Sequence, residues 1–242
     1  MEKSLKMLAG KITIAALLGS ISFGAVSYAS MPGRGFVQPT SLYGSEIYFD
    51  VYRNSEKVGY HRVSFKKAGA NLSVDVTFML KINVLLFTAY KYHYQSRSEW
   101  HDGLLQQLQV SVDDDGKLFR MEASRLGDSI RVENGSSHYH VPAPILPTDH
   151  WNAAVLGDSR VLNTLTGVVN AVHINKLGRT EVTTEAGPVS ATHYAYTGDL
   201  HTEVWYDDAG RWVKMRFKGK DGSSIDYHCR RCQGTEIKKA KS

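Results

Sequence analysis

The sequence predicts an all-β domain: an antiparallel meander forming a barrel or a strongly curved sheet, with one short helix packed against it. Three observations predict it. Residues 72–100 alternate with period two: Leu72, Val74, Val76, Phe78, Leu80 and Ile82 and then Tyr90, Tyr92 and Tyr94 fall on one parity, with Ser73, Asp75, Thr77, Lys81, Lys91, His93 and Gln95 on the other. That period is the mark of strands with one buried face. Turn chemistry recurs at hairpin spacing, at Asp102-Gly103, Asp113-Asp114-Asp115-Gly116, Asn134-Gly135 and Asp207-Asp208-Ala209-Gly210. Convincing helix signals occur only from Thr148 to Gly157.

The chain has 242 residues and a formal net charge of +5. It opens with Lys3, Lys6 and Lys11, an apolar run from Ile12 to Val26, and the small-x-small pattern Ser27-Tyr28-Ala29. This reads as a secretory signal peptide over residues 1–29. The apolar run is shorter than the roughly 20 residues a membrane-spanning helix needs, so no transmembrane helix is expected after cleavage; an uncleaved anchor is the alternative. Residues 30–44, rich in Gly, Pro and Ser, read as a flexible leader. A single β domain is expected over 45–229, and a basic, disordered tail over 230–242. Lysine and arginine form no stripe interleaved with aromatics, so nucleic acid is not an expected partner.

Within the domain, Glu46–Tyr52 and Val58–Lys66 read as a hairpin across Asn54-Ser55-Glu56-Lys57. The 72–100 run is too long for one ordinary strand and predicts two, bent near Asn83–Phe87. Leu104–Val112 and Lys117–Ser124 form the next pair, then Ile130–Glu133 and Ser137–Val141. Pro142, Pro144 and Pro147 interrupt the pattern before the helix, in which Thr148 is placed to cap and Gly157 to stop. Ser159–Leu165 reads as a second helical or irregular piece. Alternation then returns from Val168, with turns expected at Gly178, Ala186-Gly187-Pro188 and Asp221-Gly222. This amounts to about eleven or twelve strands.

Several segments taken together carry a resemblance: Tyr48-Phe49-Asp50-Val51-Tyr52-Arg53 with Val58-Gly59-Tyr60-His61; Ser98-Glu99-Trp100; Pro147-Thr148-Asp149-His150-Trp151-Asn152; Leu162 to Gly167; and Trp205-Tyr206-Asp207 through Gly210-Arg211-Trp212. The ensemble resembles an exported bacterial all-β family catalogued only as a domain of unknown function. The resemblance implies export and β architecture, and it hands over no catalytic residues.

No G-x-S-x-G and no H-E-x-x-H occurs, so hydrolase chemistry has no local support. Asp113–Gly116 lacks the spacing of a calcium loop and reads as a solvated turn. Cys229 and Cys232, in an oxidising compartment, are expected to form a disulfide. With His228 they could instead supply three zinc ligands, or act as a redox pair. No metal and no cofactor is expected. The favoured site is Asp149, His150, Trp151 and Asn152 at the start of the lone helix, an acid, an imidazole, an indole and an amide that could line a pocket mouth or simply cap and pack. Glu99 with Trp100 is a second candidate, and the stripe Tyr90, Tyr92, Tyr94 a third, as rings that could line a ligand cavity or fill a core. The other histidines, His61 among them, read as strand-surface residues or satisfied hydrogen-bonders.

The expected function is non-enzymatic: a periplasmic or secreted envelope protein that holds or shields a hydrophobic small molecule, such as a lipid. Two alternatives stand beside it, an interaction module of an envelope complex and an enzyme using the His150 region. The sequence names no protein partner.

Overall fold

The computed structural model describes residues 38–84, 87–135 and 137–234, with the side chains of Val84 and Phe87 left out. The expected signal peptide, residues 30–37 of the expected leader and residues 235–242 of the expected tail lie outside the described residues. A short helix, α1 (Pro39–Tyr43), opens the described chain. Fifteen strands follow: β1 (Glu46–Arg53), β2 (Glu56–Ala68), β3 (Asn71–Val84), β4 (Phe87–His101), β5 (Leu104–Asp114), β6 (Lys117–Leu126), β7 (Ser129–Asn134), β8 (Ser137–Pro142), β9 (Leu146–Pro147), β10 (Arg160–Asn163), β11 (Val168–Thr184), β12 (Gly187–Gly198), β13 (Thr202–Asp207), β14 (Trp212–Lys218) and β15 (Ser224–Arg231).

All fifteen belong to one sheet, ordered β8-β7-β6-β5-β4-β3-β2-β1-β15-β14-β13-β12-β11-β10-β9. This is the chain order wound into a ring and cut once. The first and last strands pair, Phe49 opposite Cys229 and Val51 opposite Tyr227, while the consecutive strands β8 and β9 do not. Every pairing is antiparallel except β9–β10. The protein is therefore an antiparallel meander in a barrel-like, strongly curved sheet that stays open at one seam.

Proline explains the place of the cut. Pro142 ends β8, Pro144 lies in the crossing and Pro147 ends β9; none has an N–H to give a ladder. Side chains reach across the seam instead. Asn134 Nδ2 donates to the Thr166 carbonyl and the Tyr139 hydroxyl to the Gly167 carbonyl. Gly167, at φ +64°, leaves room for Asn134, which any Cβ there would meet at 3.0 Å.

The stripe that begins at Leu72 does face inward. Leu72, Val74, Val76, Phe78 and Leu80 are buried and stand opposite Trp100, Ser98, Ser96, Tyr94 and Tyr92 of β4. The loose alternation of Leu104–Val112 has a cause: the β4–β5 register slips between Glu99 and Trp100, so Leu105 and Leu108 are both buried despite opposite parity.

Several expectations need correction. Gly178 is a bulge and not a turn: β11 runs through it, with the register slipping between Lys176 and Gly178, so two expected strands are one. The count is nonetheless higher than expected. Ser159–Leu165 holds a strand, β10, which takes parallel pairing from Leu146 and Pro147. After that pairing the chain bends at Thr148 and turns at His150 and Trp151 before any helical turn begins, so Thr148 does not cap a helix. Its hydroxyl meets that of Thr164, and the helix shrinks to one 3-10 turn, Ala153–Gly157, capped by Asn152. Finally, the expected leader is structured from residue 38: Tyr43 of α1 is buried in the core. At the other end, Arg230 and Arg231, expected in the tail, belong to β15.

Candidate functional site

A cavity of about 320 Å³ opens inside the curved sheet. Its walls come from His61 and Val63 of β2, Val76 and Phe78 of β3, Tyr92 and Tyr94 of β4, Trp212, Met215 and Phe217 of β14, and Tyr227 of β15. One side is formed by Thr148, Asp149, His150 and Trp151, the segment between β9 and the 3-10 turn. Exposed lining residues, Leu165, His201 and Lys218, mark the open side.

The 148–151 segment is held in part through its backbone. Thr148 N–H donates to the Leu162 carbonyl at 3.0 Å. The His150 carbonyl accepts from the Tyr206 hydroxyl at 2.7 Å, and the Trp151 carbonyl from the Tyr43 hydroxyl at 3.2 Å. Trp151 then stands edge-on to Trp100 (5.4 Å between centroids) and to Phe65 (5.6 Å). The Trp212 indole lies between two imidazoles, 5.4 Å from His61 and 5.6 Å from His150.

Polar groups at this cavity are buried and incompletely paired. Nδ1 of His61, Nδ1 of His150 and Oδ2 of Asp149 have no hydrogen-bond partner among the described residues. Each such orphan costs about 1–3 kcal/mol, so three around one cavity mark a place where the fold has given up stability. Burial pushes the Asp149 carboxyl up to about 7, against a hydrogen bond from Trp151 that favours the charged form. Burial pulls His61 down to about 3, helped by the neighbouring His150, and His150 itself down to about 4. Both imidazoles are therefore neutral at neutral pH. Since neither Nδ1 has a partner, Asp149 does not orient either ring in the manner of a nucleophile–histidine–acid triad. Among the described residues no group of three or more His, Cys, Asp or Glu side chains is placed to hold a metal.

The sequence candidates divide. Asp149, His150, Trp151, Tyr92 and Tyr94 line the cavity. Asn152 does not; its side chain accepts from Ala154 N–H and caps the 3-10 turn. Trp100 is core behind Trp151, its indole donating to Ser98 Oγ at 2.8 Å, and Glu99 points the other way, accepting from the Ser73 hydroxyl. The Tyr90 hydroxyl donates to Asp114 at 2.6 Å, away from the cavity lining. Cys229 and Cys232 are joined as a disulfide, with Cα atoms 5.8 Å apart, so no thiolate is left for zinc, and His228 stacks on Tyr52 instead.

His61, Trp212 and Tyr227 also line the cavity, beyond the sequence candidates. His61 is not a strand-surface residue: it shares its parity with the buried Val63 and Phe65, and that was the readable signal. Tyr227 likewise shares the parity of Ile225 and Cys229. Trp212 gave no such signal, because the β13–β14 register slips between Trp205 and Tyr206.

Fold comparison agrees with the architecture. A crystal structure described as a beta-barrel-like protein of domain of unknown function DUF1849 from Brucella abortus is similar, with a TM-score of 0.57 and 12% identity over 79% of this chain and 97% of that one. At that identity the likeness concerns the fold alone. No curated protein matches the sequence. The family model described as "Domain of unknown function (DUF6134)" matches residues 49–230, and the chain belongs to that family.

Proposed function

We propose that this domain is a binding protein of the cell envelope that holds one small, mainly apolar molecule carrying a polar group. The observation that carries the reading is the cavity: aromatic and aliphatic walls, bordered by buried polar side chains that are incompletely paired. Ligand sites have this composition, an apolar lining with a few polar groups that fix orientation. At about 320 Å³ the cavity is at the lower end of the usual range for small-molecule sites. That size suits a single short chain or ring system and not a two-chain lipid. The envelope setting comes from the amino-terminal sequence pattern.

The test is titration with the neutral apolar dye N-phenylnaphthylamine, read by energy transfer from Trp151 and Trp212. One saturable site is expected. Leu200→Trp, at a half-buried lining position, should fill the cavity and remove binding while the circular dichroism spectrum is kept. Absence of saturable binding, or binding indifferent to Leu200→Trp, would refute the reading.

A further inference from the structure

The charge arrangement around the cavity says more than its polarity does. Asp149 borders the cavity, is buried, and keeps one carboxyl oxygen without a partner. No arginine lines the cavity, and its one lysine, Lys218, is exposed at the open side. His61 and His150 bring no charge at neutral pH. The closed part of the site therefore holds one acid and no cation. A carboxylate with one oxygen unpartnered and no cation beside it is costly in such surroundings, since a buried charge is normally matched by an opposite one. The walls offer the matching preference, since Phe78, Tyr92, Tyr94, Trp151, Trp212 and Tyr227 present aromatic rings, whose faces attract cations.

We infer that the ligand is a cation: a small apolar body carrying a primary or secondary ammonium group, whose N–H donates to Asp149 while the aromatic walls surround its charge. A fatty-acid carboxylate is disfavoured, because it would set a second anion beside Asp149 with no cation inside to balance it. A neutral alcohol would donate a hydrogen bond to Asp149 but would bring no charge to match it. The elevated position of Asp149 is consistent with this, since a bound ammonium would hold the carboxyl ionised and release its proton.

This inference rests on the cavity being a ligand site, so the experiment separates the two claims. Octylammonium, 1-octanol and octanoate, matched in chain length, are compared by displacement of N-phenylnaphthylamine from the full protein. Octylammonium is expected to bind at least tenfold more tightly than octanol, with octanoate weakest. Asp149→Asn, which preserves shape, should bring octylammonium down to the octanol level while the dye still binds. Octanol equalling octylammonium, or an ammonium preference that survives Asp149→Asn, would overturn the inference and leave a neutral-ligand site. Failure of the dye itself to bind would overturn both readings. If Asp149→Asn does not fold, the unmodified protein still decides between the three ligands.

Discussion

The hydroxyl of Tyr43 donates to the carbonyl oxygen of Trp151 at 3.2 Å and at the same time accepts the backbone N–H of Trp212 at 2.8 Å. A residue ahead of the first strand thus joins two tryptophan positions that line the cavity. Both bonds are buried and span more than 100 residues of sequence.

Tyr43→Phe should show what that junction is worth. The ring stays, but the Trp212 N–H loses its acceptor inside the core. Leaving a buried donor unmatched costs about 1–3 kcal/mol. The expected result is a lower urea midpoint with an unchanged denaturant slope, together with weaker dye binding as Trp151 and Trp212 lose their shared anchor. A midpoint equal to that of the parent would show that α1 contributes packing only.

Stability should depend on pH in two opposing ways. His61 and His150 are held down to about 3 and about 4 by burial, whereas an unfolded imidazole titrates near 6.5. Below about pH 6.5 the unfolded chain therefore binds protons that the folded chain refuses, and stability falls as pH drops toward 4. Asp149 acts in the other direction. Burial raises it to about 7, so between about pH 4 and 7 the folded chain keeps a proton that the unfolded chain has lost. Its penalty grows across that window and is complete above it. Asp149→Asn should accordingly stabilise the empty protein at pH 8, by on the order of 1–3 kcal/mol, and change little at pH 4. Urea midpoints between pH 4 and 8.5 measure both limbs. Destabilisation at pH 8 would mean that the carboxylate is already matched inside the empty protein.

Gly59 is required by a backbone approach and not by its own torsion angles. A Cβ there would lie 1.8 Å from the Met79 carbonyl oxygen, within the β2–β3 ladder that carries His61 and Phe78 to the cavity. Gly59→Ala should therefore destabilise by about 3 kcal/mol or more, the upper end of what overpacking does. Soluble yield and the thermal transition report it. A variant of ordinary stability would mean that β2 can shift along β3 without loss.

The sequence by itself determined the strand class, the inward face of β3 and β4, most hairpins, and the membership of Asp149, His150 and Trp151 in one stretch. Those features are local: a period of two, a turn dipeptide and a run of adjacent residues need no knowledge of distant chain. Only the tertiary structure decided the rest. Which strands close the ring depends on β1 meeting β15 from opposite ends of the domain. Trp100 shares the inward parity of Tyr92 and Tyr94, yet it stands behind Trp151, which packs edge-on against it from a distant segment. Placing His61, Trp212 and Tyr227 around Asp149 joins positions from four distant segments, and Tyr43 acts on them through backbone atoms that carry no residue-specific signal at all. A site of this kind is assembled by register and curvature, which are properties of paired strands and not of any single stretch of sequence.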